Sequence, residues 1–226
     1  MIISYKHNFV FWRPIKVGGA SVLQALGEHC GEDDVVNSPD LEKVLNAGRK
    51  INKKNFDGYG LHMPPDEIKR VSKIDWDSFF KFTIVRNPWD TLVSLYWMNK
   101  IPENGNNFTD WLLNYSVNKA DYATSQSFYR MSIEIQENYY FNKGEKIADY
   151  YLRFENLESD YKKLCKKIGI PYRKLPKIHT NFRIDKRRYS DYYNDEGIEF
   201  VRKMFPQTIS EFGYEFEDNM ANRIAV

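Results

Sequence analysis

Two stretches of this 226-residue sequence change period in mid-run, and that change constrains the fold more than any bulk property. Phe9-Val10-Phe11-Trp12 is aromatic and β-branched, as a buried strand should be. It breaks at Arg13-Pro14, passes through Lys16-Val17-Gly18-Gly19 and resumes as a helix near Ala20. Phe79 to Val85 is a second such run. It breaks at Arg86-Asn87-Pro88 and continues as a helix to about Asn99, with Asn87 as N-cap, Pro88 at the first helical position and Asp90 in the first turn. Asp149 to Phe154 is a third strand, followed by a helix over 157–168 that Gly169 and Pro171 stop. Strands handing over to helices in this way predict an α/β fold with a central, mainly parallel β-sheet flanked by helices.

Elsewhere the pattern predicts helices over 40–50, through much of 108–141, and over 194–205 and 207–212. It predicts a loop or short strand over 51–63 and a basic, irregular loop over 171–190. One domain is expected over 1–226, with 217–226 fraying.

Composition excludes several classes. A chain that is 42% hydrophobic and 28% charged is an ordinary globular one, and a net charge of +2 is too small for a nucleic-acid or membrane-surface partner. Cys30 and Cys165 lie far apart without CxxC or His spacing, so neither a disulfide scaffold nor a metal site is expected. The sequence shows no signal-peptide pattern and no apolar window long enough to span a bilayer, which predicts a soluble, cytoplasmic protein.

The strand-to-helix turns carry the chemistry. A glycine pair entering a helix leaves backbone N–H groups open to an anion, with the helix dipole behind them. Lys16 adds a mobile charge and Ser21 a hydroxyl. The nucleoside-triphosphatase loop GxxxxGK[ST] is absent, because Lys16 precedes the glycines, so the usual triphosphate and magnesium apparatus is missing. At the second turn Arg86 ends the strand, and Ser94 follows Asn87 by close to two helical turns. A guanidinium and a hydroxyl can therefore share one face, as they would to hold a second phosphate.

KVGGAS and VRNPWDTLVSLYW together resemble the two motifs of sulfotransferases that use 3′-phosphoadenosine 5′-phosphosulfate (PAPS), in particular the carbohydrate branch with a PKTGGTS-like first motif. YLRFENLESDYKKLCKKIGI is similar to the family's RYEDL…LCKFLGI segment, and FPQTISEFGYEFED to its closing FGY element, so the resemblance spans roughly 7–217 in order. It implies a P-loop-like three-layer fold and a donor site. Lys16, Val17, Gly18, Gly19, Ala20 and Ser21 would hold the 5′-phosphosulfate, and Arg86 and Ser94 the 3′-phosphate. Two departures stand out: Ile15 separates Pro14 from Lys16, and Ala20 replaces the common Thr.

Sulfuryl transfer to an alcohol needs a proton acceptor, and histidine suits that role. His62, in GYGLHMPPDEIK, resembles the family's GHxxF-like segment and is the expected base, with Asp66 or Glu67 as alternatives; His7 and His29 have no such company. Lys16 is the expected electrophilic partner of the leaving group. Residues 171–190 hold seven basic side chains against Asp185, and the resemblance implies a lid over the nucleotide, with Arg183 and Arg187 as its candidate contacts. Gln126 and His179 are the candidate acceptor contacts. The expected reaction moves a sulfuryl group from PAPS to a hydroxyl of a carbohydrate or small metabolite, releases 3′,5′-adenosine bisphosphate (PAP) and uses no metal. The rival readings are a small-molecule kinase and a nucleotide-binding module without catalysis.

Overall fold

The computed structural model describes residues 1–38, 54–98, 107–114, 136–178 and 183–217. The helix expected over 40–50, most of 108–141, Gln126, His179 and the tail from 218 onward lie outside the described residues. The strands are β1 (Ile2–Ser4), β2 (Phe9–Phe11), β3 (Val35–Val36), β4 (Phe80–Val85), β5 (Phe141–Asn142), β6 (Glu145–Lys146) and β7 (Tyr150–Arg153). The helices are α1 (Gly19–Gly27), α2 (Pro65–Ser72), α3 (Pro88–Met98), α4 (Phe108–Asn114), α5 (Leu157–Lys167), α6 (Asp195–Met204) and α7 (Pro206–Phe212).

The chain divides into two compact units, residues 1–86 with 138–180, and residues 87–137 with 181–226. The first holds a sheet of order β3-β1-β2-β4-β7. β2 pairs parallel with β4 and β4 with β7, while β1 lies antiparallel between β3 and β2. Four of these strands thus run one way, in line with the expected mainly parallel sheet, and β1 is the exception. Period-2 alternation sorts the central strands onto two faces. Phe9, Phe11, Phe82, Ile84 and Leu152 face Val22, Leu23 and Leu26 of α1 and Tyr161 and Leu164 of α5, in one fully buried cluster. Each large side chain moved from water into that layer contributes about 1.5–3 kcal/mol.

Within the second unit the core is aromatic. Phe108 stands edge-on to Tyr96 at 5.3 Å and to Tyr193 at 4.7 Å, and Phe216 bridges Trp89 and Tyr193 at 5.6 Å from each. α3 begins as its sequence predicts: the Asn87 side-chain oxygen accepts from the N–H groups of Trp89 (3.0 Å) and Asp90 (3.3 Å). α6 is capped likewise by Asn194, which accepts from Gly197 N–H at 2.9 Å.

Several elements differ from the sequence reading. α2 is a helix that the sequence pattern does not predict, since Pro64-Pro65 looks like a breaker when it is in fact a helix start with Pro65 in the first turn. β1, β3, β5 and β6 are two or three residues long, too short for any period to register.

Candidate active site

The first unit carries the glycine turn between β2 and α1. Gly18 is the N-cap of α1 with φ 77° and ψ 11°, and as a glycine it places no side chain over the first helical N–H groups. A Cβ there would stand 2.8 Å from the Phe154 ring, and one on Gly19 would stand 2.7 Å from Cβ of Arg13. Both positions therefore require glycine for space, and Gly18 requires it for conformation too. Lys16 also lies in the left-handed region, at φ 64°, an uncommon backbone for a lysine that costs about 1–3 kcal/mol. Val17 and Ala20 point into the core, so each offers this turn only its backbone, while Ser21 is half-buried.

Arg86 closes the turn from the end of β4. Its Nη1 donates to the Lys16 carbonyl at 2.5 Å, and its guanidinium lies 3.8 Å over the Phe154 ring. The same ring therefore limits Gly18 and supports Arg86. Lys16 is brought down to about 8, first by burial and then by the Arg86 charge. An anion placed against this loop would offset the Arg86 charge and favour the protonated lysine.

His62 follows a glycine-rich loop and stands beside the same turn. Its Nδ1 is 3.1 Å from the Arg13 carbonyl oxygen. A carbonyl can only accept, so Nδ1 carries the hydrogen and Nε2 is left as the basic nitrogen. Burial, and then the Arg13 charge, push His62 down to about 3. Asp66 is exposed and Glu67 half-buried in the first turn of α2, and Glu67 is 3.6 Å from Arg70.

In the second unit, Ser94 sits half-buried on α3. Arg183 pairs with Asp90 at 3.3 Å and Arg187 with Asp185 at 2.6 Å, and both guanidinium groups lie over the Tyr192 ring, at 5.3 and 4.5 Å. This part of the basic segment is thus held by Asp90 of α3, its own Asp185 and an aromatic ring.

The profile of the sulfotransferase family matches residues 1–215, through the segments of both units. The chain belongs to the sulfotransferase family. An uncharacterized protein of Archaeoglobus fulgidus is 29% identical over 111 residues, 49% of this chain and 85% of that one. The mouse sulfotransferase SULT7A1, solved in complex with PAP, aligns over 98% of this chain and 88% of its own with 13% identity and a TM-score of 0.41.

For a sulfotransferase, the residues brought together in the first unit are Lys16, Gly18, Gly19, Arg86 and His62. Sequence reasoning missed four of their neighbours. Phe154 is one, and Arg13 another: it is 7% exposed, its Nε has no hydrogen-bond partner among the described residues, and burial brings it down to about 10. The other two are Trp12 and Tyr139, which hold the His62 loop. The run Phe11-Trp12-Arg13 reads as a strand end, and nothing local distinguishes its last two residues from surface or core filler. Among the described residues no cluster of His, Cys, Asp and Glu could hold a metal ion, and no helix is long and apolar enough to cross a membrane.

Proposed function

We propose that this sulfotransferase moves the sulfuryl group of PAPS onto a hydroxyl of a carbohydrate or small metabolite. The observation that carries the proposal is the pairing of a glycine turn, backed by Lys16 and Arg86, with a histidine whose Nε2 is left as the basic nitrogen.

PAPS supplies the sulfuryl group and departs as PAP. The backbone N–H groups of residues 18–21 hold the 5′ end, and Lys16 offsets the charge that grows on the leaving oxygen. Arg86 meets the 3′-phosphate as a bidentate guanidinium, with Ser94 added on the resemblance alone. Nε2 of His62 takes the proton of the attacking hydroxyl as its oxygen bonds to sulfur and the sulfur–oxygen bond to the 5′-phosphate breaks. A histidine held near 3 is a poor base, and part of that depression comes from the charges of Arg13 and Lys16. An anionic donor cancels that part, so His62 becomes a better base once the donor is bound. Arg183 and Arg187 are kept as donor contacts, and Gln126 and His179 as acceptor contacts, on the resemblance.

Calorimetric titration with PAP, beside magnesium-ATP and 5′-AMP, tests the donor. Tight binding of PAP alone supports the reading. A preference for magnesium-ATP would favour kinase chemistry, and no binding of any of the three would end the proposal.

A further inference from the structure

The segment carrying His62 is anchored at its start. Lys54 exchanges backbone hydrogen bonds with Val36 at 2.9 and 3.2 Å, and the Asn37 amide donates to the Tyr59 carbonyl. It is anchored again where α2 begins at Pro65. Between these points Gly60 and Leu61 are exposed, and His62 depends on what reaches it from outside the loop.

Three side-chain donors, one of them its own, link it to the rest of the fold in a closed relay. Nε1 of Trp12 donates to the Tyr139 carbonyl at 2.9 Å, the Tyr139 hydroxyl to the His62 carbonyl at 2.6 Å, and Nδ1 of His62 to the carbonyl of Arg13, the residue after Trp12. The relay begins and ends on Trp12 and Arg13, the segment that follows β2 into the glycine turn. That segment is fixed to the sheet, since Trp12 N–H donates to Phe82 O at 3.4 Å and Thr83 Oγ1 to Trp12 O at 2.9 Å. Trp12 and Tyr139 are almost fully buried, with Trp12 stacked on Trp76 at 6.2 Å, so neither can reach a substrate itself. Among the described residues, the Tyr139 hydroxyl supplies the hydrogen bond that holds the backbone of 60–63.

We propose that Tyr139, seated by Trp12, is the positioning residue of the general base: it holds the His62 backbone so that Nδ1 meets the Arg13 carbonyl and Nε2 is the nitrogen presented to the acceptor. The proposal rests on His62 being the base. It predicts that the imidazole tautomer is set by a hydroxyl that never touches the imidazole.

The test is Tyr139→Phe, which keeps the buried ring and removes only the donor. The ring nitrogens of His62 are read by ¹⁵N NMR at pH 7 in the PAP-bound protein, with the signal assigned by its loss in His62→Ala. Wild type should show one Nδ1–H tautomer. Tyr139→Phe should show a mixture of tautomers while PAP affinity stays within about twofold, an outcome that a general loss of stability would not produce. Should Tyr139→Phe unfold, Trp12→Phe tests the other end of the relay and should loosen the same tautomer. An unchanged single tautomer in Tyr139→Phe overturns the proposal, and so does a wild-type Nε2–H form. Failure of PAP to bind would instead strike the donor reading. Full sulfuryl transfer by His62→Ala would strike the base, so the three failures are separable.

Discussion

At the scale of single residues, two groups are proposed to carry the chemistry, and each makes a distinct prediction. His62→Ala should lower the rate of sulfuryl transfer by about 10²–10⁴ while leaving PAP affinity unchanged, because the residue acts on the acceptor's proton and not on the donor. Radiolabelled transfer to any acceptor that turns over measures it, and near-wild-type activity would remove His62 from the role. Lys16 predicts a proton linkage. Burial and Arg86 hold it near 8 in the free protein, and an anion against its ammonium favours the charged form, so its pKa rises on binding. Well below pH 8 Lys16 is already protonated, and its PAP-linked proton uptake vanishes there. Above pH 8 binding must take one up, so affinity falls as pH rises, by up to about tenfold per pH unit. Calorimetry at pH 9 in buffers of different ionisation enthalpy reads the uptake directly, and Lys16→Met should abolish it. Both residues were legible in the sequence as candidates. Lys16 stands beside its glycines, and His62 stands in a glycine-rich loop between the two motifs. What was not legible is what controls them. The Tyr139 hydroxyl lies 77 residues from the His62 carbonyl, and Arg86 lies 70 from the carbonyl it binds, so neither contact leaves a local pattern.

At the scale of elements, the turn between β2 and α1 is where space and conformation coincide. Gly18→Ala asks a β-carbon to sit 2.8 Å from the Phe154 ring at φ 77°, a conformation that only glycine adopts freely. Backbone strain and overpacking together should cost about 1–3 kcal/mol, or roughly 5 °C in melting temperature. Since Phe154 also supports Arg86, the variant should lose PAP affinity by more than its stability loss explains. Thermal melts and PAP titrations of the same samples compare the two, and a Gly18→Ala variant with wild-type affinity would show that this turn does not receive the donor. The elements themselves were legible in proportion to their length. β4, α3 and α5 came within a residue or two of their observed bounds, because six to eleven residues are enough for a period of 2 or 3.6 to show. The short strand β1 carries no period, and its antiparallel course is set by pairing with Val10 and Val35, partners that only the folded chain brings alongside.

At the scale of the whole molecule, donor binding should appear as a gain in stability, because a ligand that binds only the folded chain shifts unfolding by mass action. PAP at about 100 times its dissociation constant should stabilise by about 2.7 kcal/mol, raising the melting temperature by roughly 5–10 °C for a chain of this length. 5′-AMP carries the adenosine and the 5′-phosphate but lacks the 3′-phosphate, so it isolates the part of the gain that Arg86 is proposed to supply. At equal concentration 5′-AMP should stabilise far less than PAP. In Arg86→Ala the difference between the two should shrink to near zero, leaving whatever the glycine turn alone provides. Arg86 also holds the Lys16 carbonyl and rests on Phe154, so its loss could instead weaken the turn for both ligands. The two effects separate cleanly: loss of a 3′-phosphate contact lowers the PAP shift toward the 5′-AMP shift, whereas a damaged turn lowers both together. A PAP shift that stays well above the 5′-AMP shift in Arg86→Ala would reassign the 3′-phosphate to other residues.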